Sequence, residues 1–120
     1  MAEGSFQSAL NETDEIELTT TGRATGRQSS RPVWFVRQGQ KLYLLPVTGS
    51  DSQWYKNVVR TPAIRLTARE VPFAAKAAPV TEAAAVAHVV DEFRAKYGAG
   101  DVAQYYSHPN VAVEVPLGGG

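Results

Sequence analysis

Glu15-Ile16-Glu17-Leu18-Thr19-Thr20-Thr21-Gly22-Arg23-Ala24-Thr25-Gly26-Arg27 changes character part-way along. Ile16, Leu18 and Thr20 alternate with Glu17, Thr19 and Thr21. A period of two, rich in β-branched residues, predicts a half-buried strand. The strand stops at a loop framed by Gly22 and Gly26. Glycines let consecutive backbone N–H groups turn toward one point and form an anion-binding concavity. Threonine hydroxyls add donors, and Arg23 and Arg27 suit bidentate phosphate contacts. The loop is not a P-loop, because GxxxxGK[ST] is absent and no helix opens from it. An ordinary solvated Gly-Arg turn has the same composition, and these residues alone leave both readings open.

Working downstream, residues 30–37 predict a second strand, with Val33 and Phe35 on one face and Trp34 on the other. Pro32 fits only near the start of that strand or on a sheet edge, because it cannot donate a ladder hydrogen bond. Gln38-Gly39-Gln40 reads as a hairpin turn and residues 41–47 as the return strand. Residues 48–52 form a polar loop. Asp51 or Ser52 is placed to cap a helix over residues 53–60, whose buried face carries Trp54, Val58 and Tyr55. Thr61-Pro62 stops it, and residues 63–68 and 71–78 predict two more strands turning at Arg69-Glu70.

Pro79 and Thr81 open the longest helix, residues 82–97, with Glu82 at its positive end. Val86, Val89 or Val90, Phe93 and Tyr97 recur at helical spacing, and Gly98 ends the run. A short polar helix or loop carries Tyr105 and Tyr106, and Val111, Val113 and Val115 alternate as the last strand. Upstream, an N-terminal segment of residues 1–14 holds a short helical turn bearing Phe6 and Leu10. Gly118-Gly119-Gly120 reads as a frayed tail. The pattern predicts a mainly β chain with one or two helices and about six strands, closed into a small barrel with few free edges. A four-stranded open sheet with two helices is the structural competitor.

At 120 residues there is room for a single domain, residues 1–120. Hydrophobic residues at 43% and charged residues at 20% are a folded composition rather than a disordered one. The lack of Cys excludes disulfides, thiol nucleophiles and cysteine metal sites. No apolar run approaches the roughly 20 residues a bilayer span needs. Residues 1–10 lack the basic start and apolar core of a signal peptide, so the expected location is cytoplasmic, with no membrane partner. A chain this small buries only about two-thirds of its unfolded surface, which favours a homodimer.

The net charge is zero but the charges are segregated. Residues 18–69 hold nine bases against Asp51 alone, a net of +8, and the rest of the chain holds −8. Such asymmetry suits a positive face meeting an anion. The other reading is that acids from elsewhere fold across and neutralise it. Nucleic-acid binding is disfavoured, since the eleven acids outside the segment repel phosphate.

Catalytic constellations are scarce. His88 stands four residues before Glu92, the spacing of a solvent-facing helical pair, and His108 precedes Pro109 in a loop. Neither has the neighbours a metal site requires, so no metal is expected. There is no nucleophile elbow and no carboxylate pair facing a cleft. If the protein is an enzyme, a cofactor carries the chemistry and the fold supplies orientation.

Residues 15–66 resemble the deazaflavin-dependent nitroreductase and quinone reductase family of the flavin-binding split-barrel superfamily. The resemblance rests on Leu18-Thr19-Thr20-Thr21-Gly22-Arg23 with Thr25-Gly26, on Arg31-Pro32-Val33-Trp34-Phe35-Val36-Arg37 with Gly39, and on Gln53-Trp54-Tyr55-Lys56-Asn57 running to Thr61-Pro62. It implies a split β-barrel that binds a deazaflavin (coenzyme F420 type), with FMN as the alternative, and transfers hydride to a small organic acceptor. Carried over by motif, Arg23, Thr25 and Gly26 serve the phosphate side, and Arg27 and Arg31 are placed to compensate for bases that relatives have and this chain lacks. Trp34, the Val47-Thr48-Gly49-Ser50 backbone, Trp54 and Tyr55 face the ring, while Tyr105 and Tyr106 cover the acceptor and donate a proton. Two departures stand out. Family members usually have a longer, lysine-bearing loop where residues 48–52 are short and carry Asp51, and Ser29 stands where a base is common. They motivate a second reading, a non-catalytic split barrel holding another flat or hydrophobic ligand.

Overall fold

The computed structural model describes residues 2–106 and 109–117; His108 and the Gly118-Gly119-Gly120 tail lie outside them. Helix α1 (Ala2–Leu10) precedes β1 (Glu15–Thr21), β2 (Gln28–Trp34), β3 (Val36–Gln38) and β4 (Lys41–Leu44). A 3₁₀ turn (Gly49–Asp51) leads to α2 (Gln53–Arg60), β5 (Ala63–Ala68), β6 (Val71–Lys76) and β7 (Ala78–Val80). Then come α3 (Ala83–Tyr97), α4 (Ala99–Tyr105) and β8 (Ala112–Pro116). The strands form two four-stranded antiparallel sheets, ordered β2-β1-β5-β6 and β3-β4-β8-β7.

The expected six strands are eight, and the reason is geometric. Residues 30–37 and 71–78 each read as one strand, but each bends and passes from one sheet to the other. β2 becomes β3 across Phe35, and β6 becomes β7 across Ala77, whose N–H donates to the Pro62 carbonyl at 2.9 Å. These corners close the two sheets into one barrel, as strands that switch sheets do. The one or two expected helices are four, because residues 2–10 and 99–105 each complete a helix of their own.

Alternation decides what fills the barrel. Leu18, Leu42, Leu44, Leu66, Val113 and Val115 point inward and are fully buried, and each such side chain contributes about 1.5–3 kcal/mol. α1 closes one end by stacking Phe6 on Phe73 at 4.8 Å between ring centroids. The other face of the second sheet buries Val36, Leu45 and Ala112 against Val86, Val89, Val90 and Phe93 of α3 and Val102 of α4. That sheet is therefore covered on both faces. The outer face of the first sheet is not: Glu15, Glu17, Arg65 and Ala63 are exposed. Pro32 lies on the edge strand β2, opposite Glu17, where its missing N–H costs the ladder least.

Candidate functional site

The barrel opens where β2 parts from the chain that leaves β4. β2 pairs with β1 along one edge, and among the described residues no strand pairs with the other. Along that edge runs a cleft of about 810 Å³. One wall is Arg31, Pro32, Val33 and Trp34 of β2, with Glu15 beside them. The other wall comes from the segment after β4 (Leu45, Val47, Thr48, Asp51, Ser52), the start of α2 (Gln53, Trp54) and the end of α4 (Tyr105, Tyr106).

Local structure fixes these walls. The 3₁₀ turn turns on Gly49, buried at φ 63, and is tied to the start of β8 through Asn110. Asn110 Oδ1 accepts the Ser50 N–H at 2.9 Å, and its Nδ2 donates to Ser50 Oγ at 2.9 Å. Ser52 occupies the N-cap of α2, yet its side chain makes no capping bond. The helix places Trp54, Tyr55 and Val58 in the barrel core. Trp54 is therefore core and cleft wall at once.

Trp34 is held from behind by α3. The Tyr97 ring stacks on the indole at 4.2 Å and 8°. The Tyr97 hydroxyl accepts the Phe35 N–H at 3.0 Å. Its own hydrogen goes to the carbonyl of Asp14 (2.7 Å) or of Phe35 (2.8 Å). Burial pushes the Tyr97 phenol up to about 12, and the charges of Asp14 and Glu15 push the same way. Lys96 Nζ donates to the Phe35 carbonyl at 2.8 Å and lies 3.5 Å above the Phe35 ring centroid. Burial lowers its pKa, partly opposed by Asp14. Tyr105 stands nearly perpendicular to Trp34, at 82° and 5.6 Å, and is 51% exposed. Tyr106 is 7% exposed, and burial raises its phenol well above the ordinary value, with Tyr97 adding to the shift. It keeps its proton at neutral pH and can donate a hydrogen bond.

Of the residues singled out in the sequence, the cleft brings together Arg31, Trp34, Val47, Thr48, Trp54, Tyr105 and Tyr106. Tyr55 points into the barrel core, and Gly49 and Ser50 belong to the turn behind the wall. Arg23, Thr25, Gly26 and Arg27 lie in the turn between β1 and β2, outside the lining. The concavity of free N–H groups expected there is not formed. The N–H groups of Gly22, Arg23, Gly26 and Arg27 bond to Arg27 O, Asn57 Oδ1, Gly22 O and Thr25 Oγ1 respectively. The Arg23 guanidinium is engaged as well, donating to Asn57 Oδ1 at 2.8 Å and Gln53 Oε1 at 2.7 Å. The turn is thereby docked on α2 beside Gln53, whose neighbour Trp54 lines the cleft.

The sequence reading did not single out Glu15, Asp51 and Gln53 for the cleft, nor Tyr97 behind it. The i,i+4 pair Gln53 and Asn57 was a visible sign of a polar partner on that helix face; Glu15 needed the strand register that sets it opposite Trp34. Among the described residues no group of three or more His, Asp or Glu side chains is placed to hold a metal. None of the described helices is long and apolar enough to cross a membrane.

The family model DUF2255, described as an uncharacterized protein conserved in bacteria, matches residues 7–115. The chain belongs to this family. No curated protein matches the sequence. An F420-H2 dependent reductase is similar in structure, with a TM-score of 0.68 at 20% identity over 85% of this chain and 93% of that one. A putative pyridoxamine 5′-phosphate oxidase from Listeria innocua gives 0.70 at 14% identity, covering 96% of this chain and 92% of its own. The heme storage protein HutZ from Vibrio cholerae gives 0.71 at 15% identity over 99% and 92%. At these identities the likeness of this DUF2255 chain is one of fold.

Proposed function

We propose that the cleft binds a flavin-class redox cofactor, a deazaflavin with FMN as the alternative, and that the protein transfers hydride to a small organic acceptor. The observation that carries this reading is the cleft at the barrel split, of a size suited to a small-molecule site and walled by Trp34, Trp54, Tyr105 and Tyr106. Similar structures include a reductase that depends on F420-H2 and a putative pyridoxamine 5′-phosphate oxidase.

The residues present fit such a group in ring and in one anionic substituent. The indole of Trp34 offers flat apolar surface for a planar ring, and the buried Trp54 gives that wall an apolar edge. Arg31, with no hydrogen-bond partner among the described residues, is the cation of the lining, and Arg27 of the neighbouring turn lies outside it. When bound, the reduced cofactor supplies a hydride equivalent. The chain's own part is to orient and to exclude water. Tyr97 holds Trp34 flat, Tyr106 offers a hydrogen-bond donor from a dry position, and half-exposed Tyr105 stands at the rim, where an acceptor arrives. A homodimer and a cytoplasmic location belong to the same proposal.

Titration of FMN and of the deazaflavin into purified protein tests it by cofactor fluorescence. We expect saturable quenching at micromolar concentration, weakened at least tenfold by Trp34→Leu, about 1.4 kcal/mol. Unchanged fluorescence with both cofactors overturns it. One observation favours the second reading, a non-catalytic holder of a hydrophobic ligand: Glu15 and Asp51 face the cleft against Arg31 alone. A polyanionic tail gains little there. Ligand that stays bound through purification and is not reduced by dithionite decides for that reading.

A further inference from the structure

The charges of the cleft are sorted by position. Arg31 and Trp34 are three residues apart on β2, about 10 Å at strand rise. The register sets Glu15 directly opposite Trp34 and Leu18 opposite Arg31. One end of the wall therefore carries a guanidinium, and the other a carboxylate beside an indole. At that second end Tyr105 stands at 82° to Trp34, so two aromatic planes form a corner. The Tyr97 ring covers one side of the indole, and what stays open borders the cleft.

Among the described residues no cation forms an ion pair with this corner. The nearby ammonium of Lys96 is engaged by the Phe35 carbonyl and ring. Asp51 adds a second carboxylate to the lining. Aromatic faces attract cations through their quadrupole, and the exposed Glu15 carboxylate beside them adds a solvent-screened Coulomb attraction.

We propose that the Glu15–Trp34–Tyr105 corner is a subsite for a planar cation, an aromatic ring bearing a quaternary or protonated nitrogen. The inference rests on the reading of the cleft as a ligand site. It adds the chemical class received at the end remote from Arg31.

Calorimetric titration with phenyltrimethylammonium, neutral 4-tert-butylphenol and anionic 4-tert-butylbenzoate tests it on the whole chain. The cation is expected to bind about tenfold more tightly than the neutral probe, with the anion weakest. Glu15→Gln, an exposed position, is expected to shrink that preference to about threefold or less, and Tyr105→Leu to weaken the cation most. Equal or tighter binding of the neutral or anionic probe overturns the subsite, as does a preference that survives Glu15→Gln. Flavin and deazaflavin titrations on the same samples separate the two readings. A cation preference without cofactor binding leaves the subsite standing and removes the redox function. Cofactor binding without a cation preference does the reverse.

Discussion

Arg23 shows how a residue type can be read correctly and its partner missed. A guanidinium between two glycines suits a phosphate, yet here Gln53 and Asn57 offer closer acceptors. Asn57 is buried, and its Oδ1 accepts from both the Arg23 side chain and the Arg23 backbone. Arg23→Ala is expected to cost about 1 kcal/mol in urea unfolding, because the guanidinium bonds to Asn57 Oδ1 and Gln53 Oε1 are lost while the backbone N–H still reaches Asn57. Arg27→Ala, with no such contact, is expected to change stability by less than about 0.5 kcal/mol. What was legible at this scale was chemistry, from single residues such as Trp34 and Trp54. What was not legible was pairing, since Arg23 and Asn57 meet only after the strands and α2 have docked.

Among the elements, alternation located β1 and β8 and Gly39 marked its hairpin, but β7 was missed, because Pro79 and Val80 read as the opening of the long helix. Gln38 pairs with Lys41 around a two-residue turn with Gly39 at φ 61, as a Gly-first turn requires. The bends at Phe35 and Ala77 left no mark, because neither residue is Gly or Pro. They come from barrel closure, which is a property of the assembled sheets. The β5–β6 turn is a different case. Ala68 pairs with Val71, and both turn residues, Arg69 and Glu70, have positive φ (46 and 70). Side-chain-bearing residues pay about 1–2 kcal/mol each in that region. Glu70→Gly is expected to raise stability by about 1 kcal/mol, read as a higher urea midpoint at unchanged slope. The Arg69 guanidinium meets Glu12 at 3.4 Å, an exposed ion pair that offsets at most part of the strain at that position.

On the scale of the whole molecule, the ion pairs among the described residues that join the basic segment to acids outside it are Lys41–Glu114 and Arg69–Glu12. Glu15 and Glu17 also lie on β1, between the β2 and β5 strands of the basic segment. Titration of the interior gives a sharper test. Burial raises the phenols of Tyr43, Tyr55, Tyr97 and Tyr106 above 10.0. The folded chain thus holds protons that the unfolded chain loses first. The stability linked to them is complete below pH 10 and is lost as pH rises, for Tyr97 through about 12. Lys96 has the opposite sign: its lowered pKa makes stability rise as pH approaches 10.5. Melting temperatures from pH 9 to 12 are expected to fall steeply above about pH 10, and Tyr97→Phe to flatten that fall. The cleft itself was half legible. Its aromatic residues were named from sequence, but its outline depends on where β2 leaves the β4 side. The two bent strands carry a mechanical consequence. Each is a single covalent run through both sheets, so no plane divides the barrel without cutting a strand. Away from the split along β2 the sheets share strands as well as a core, and they are expected to melt as one unit.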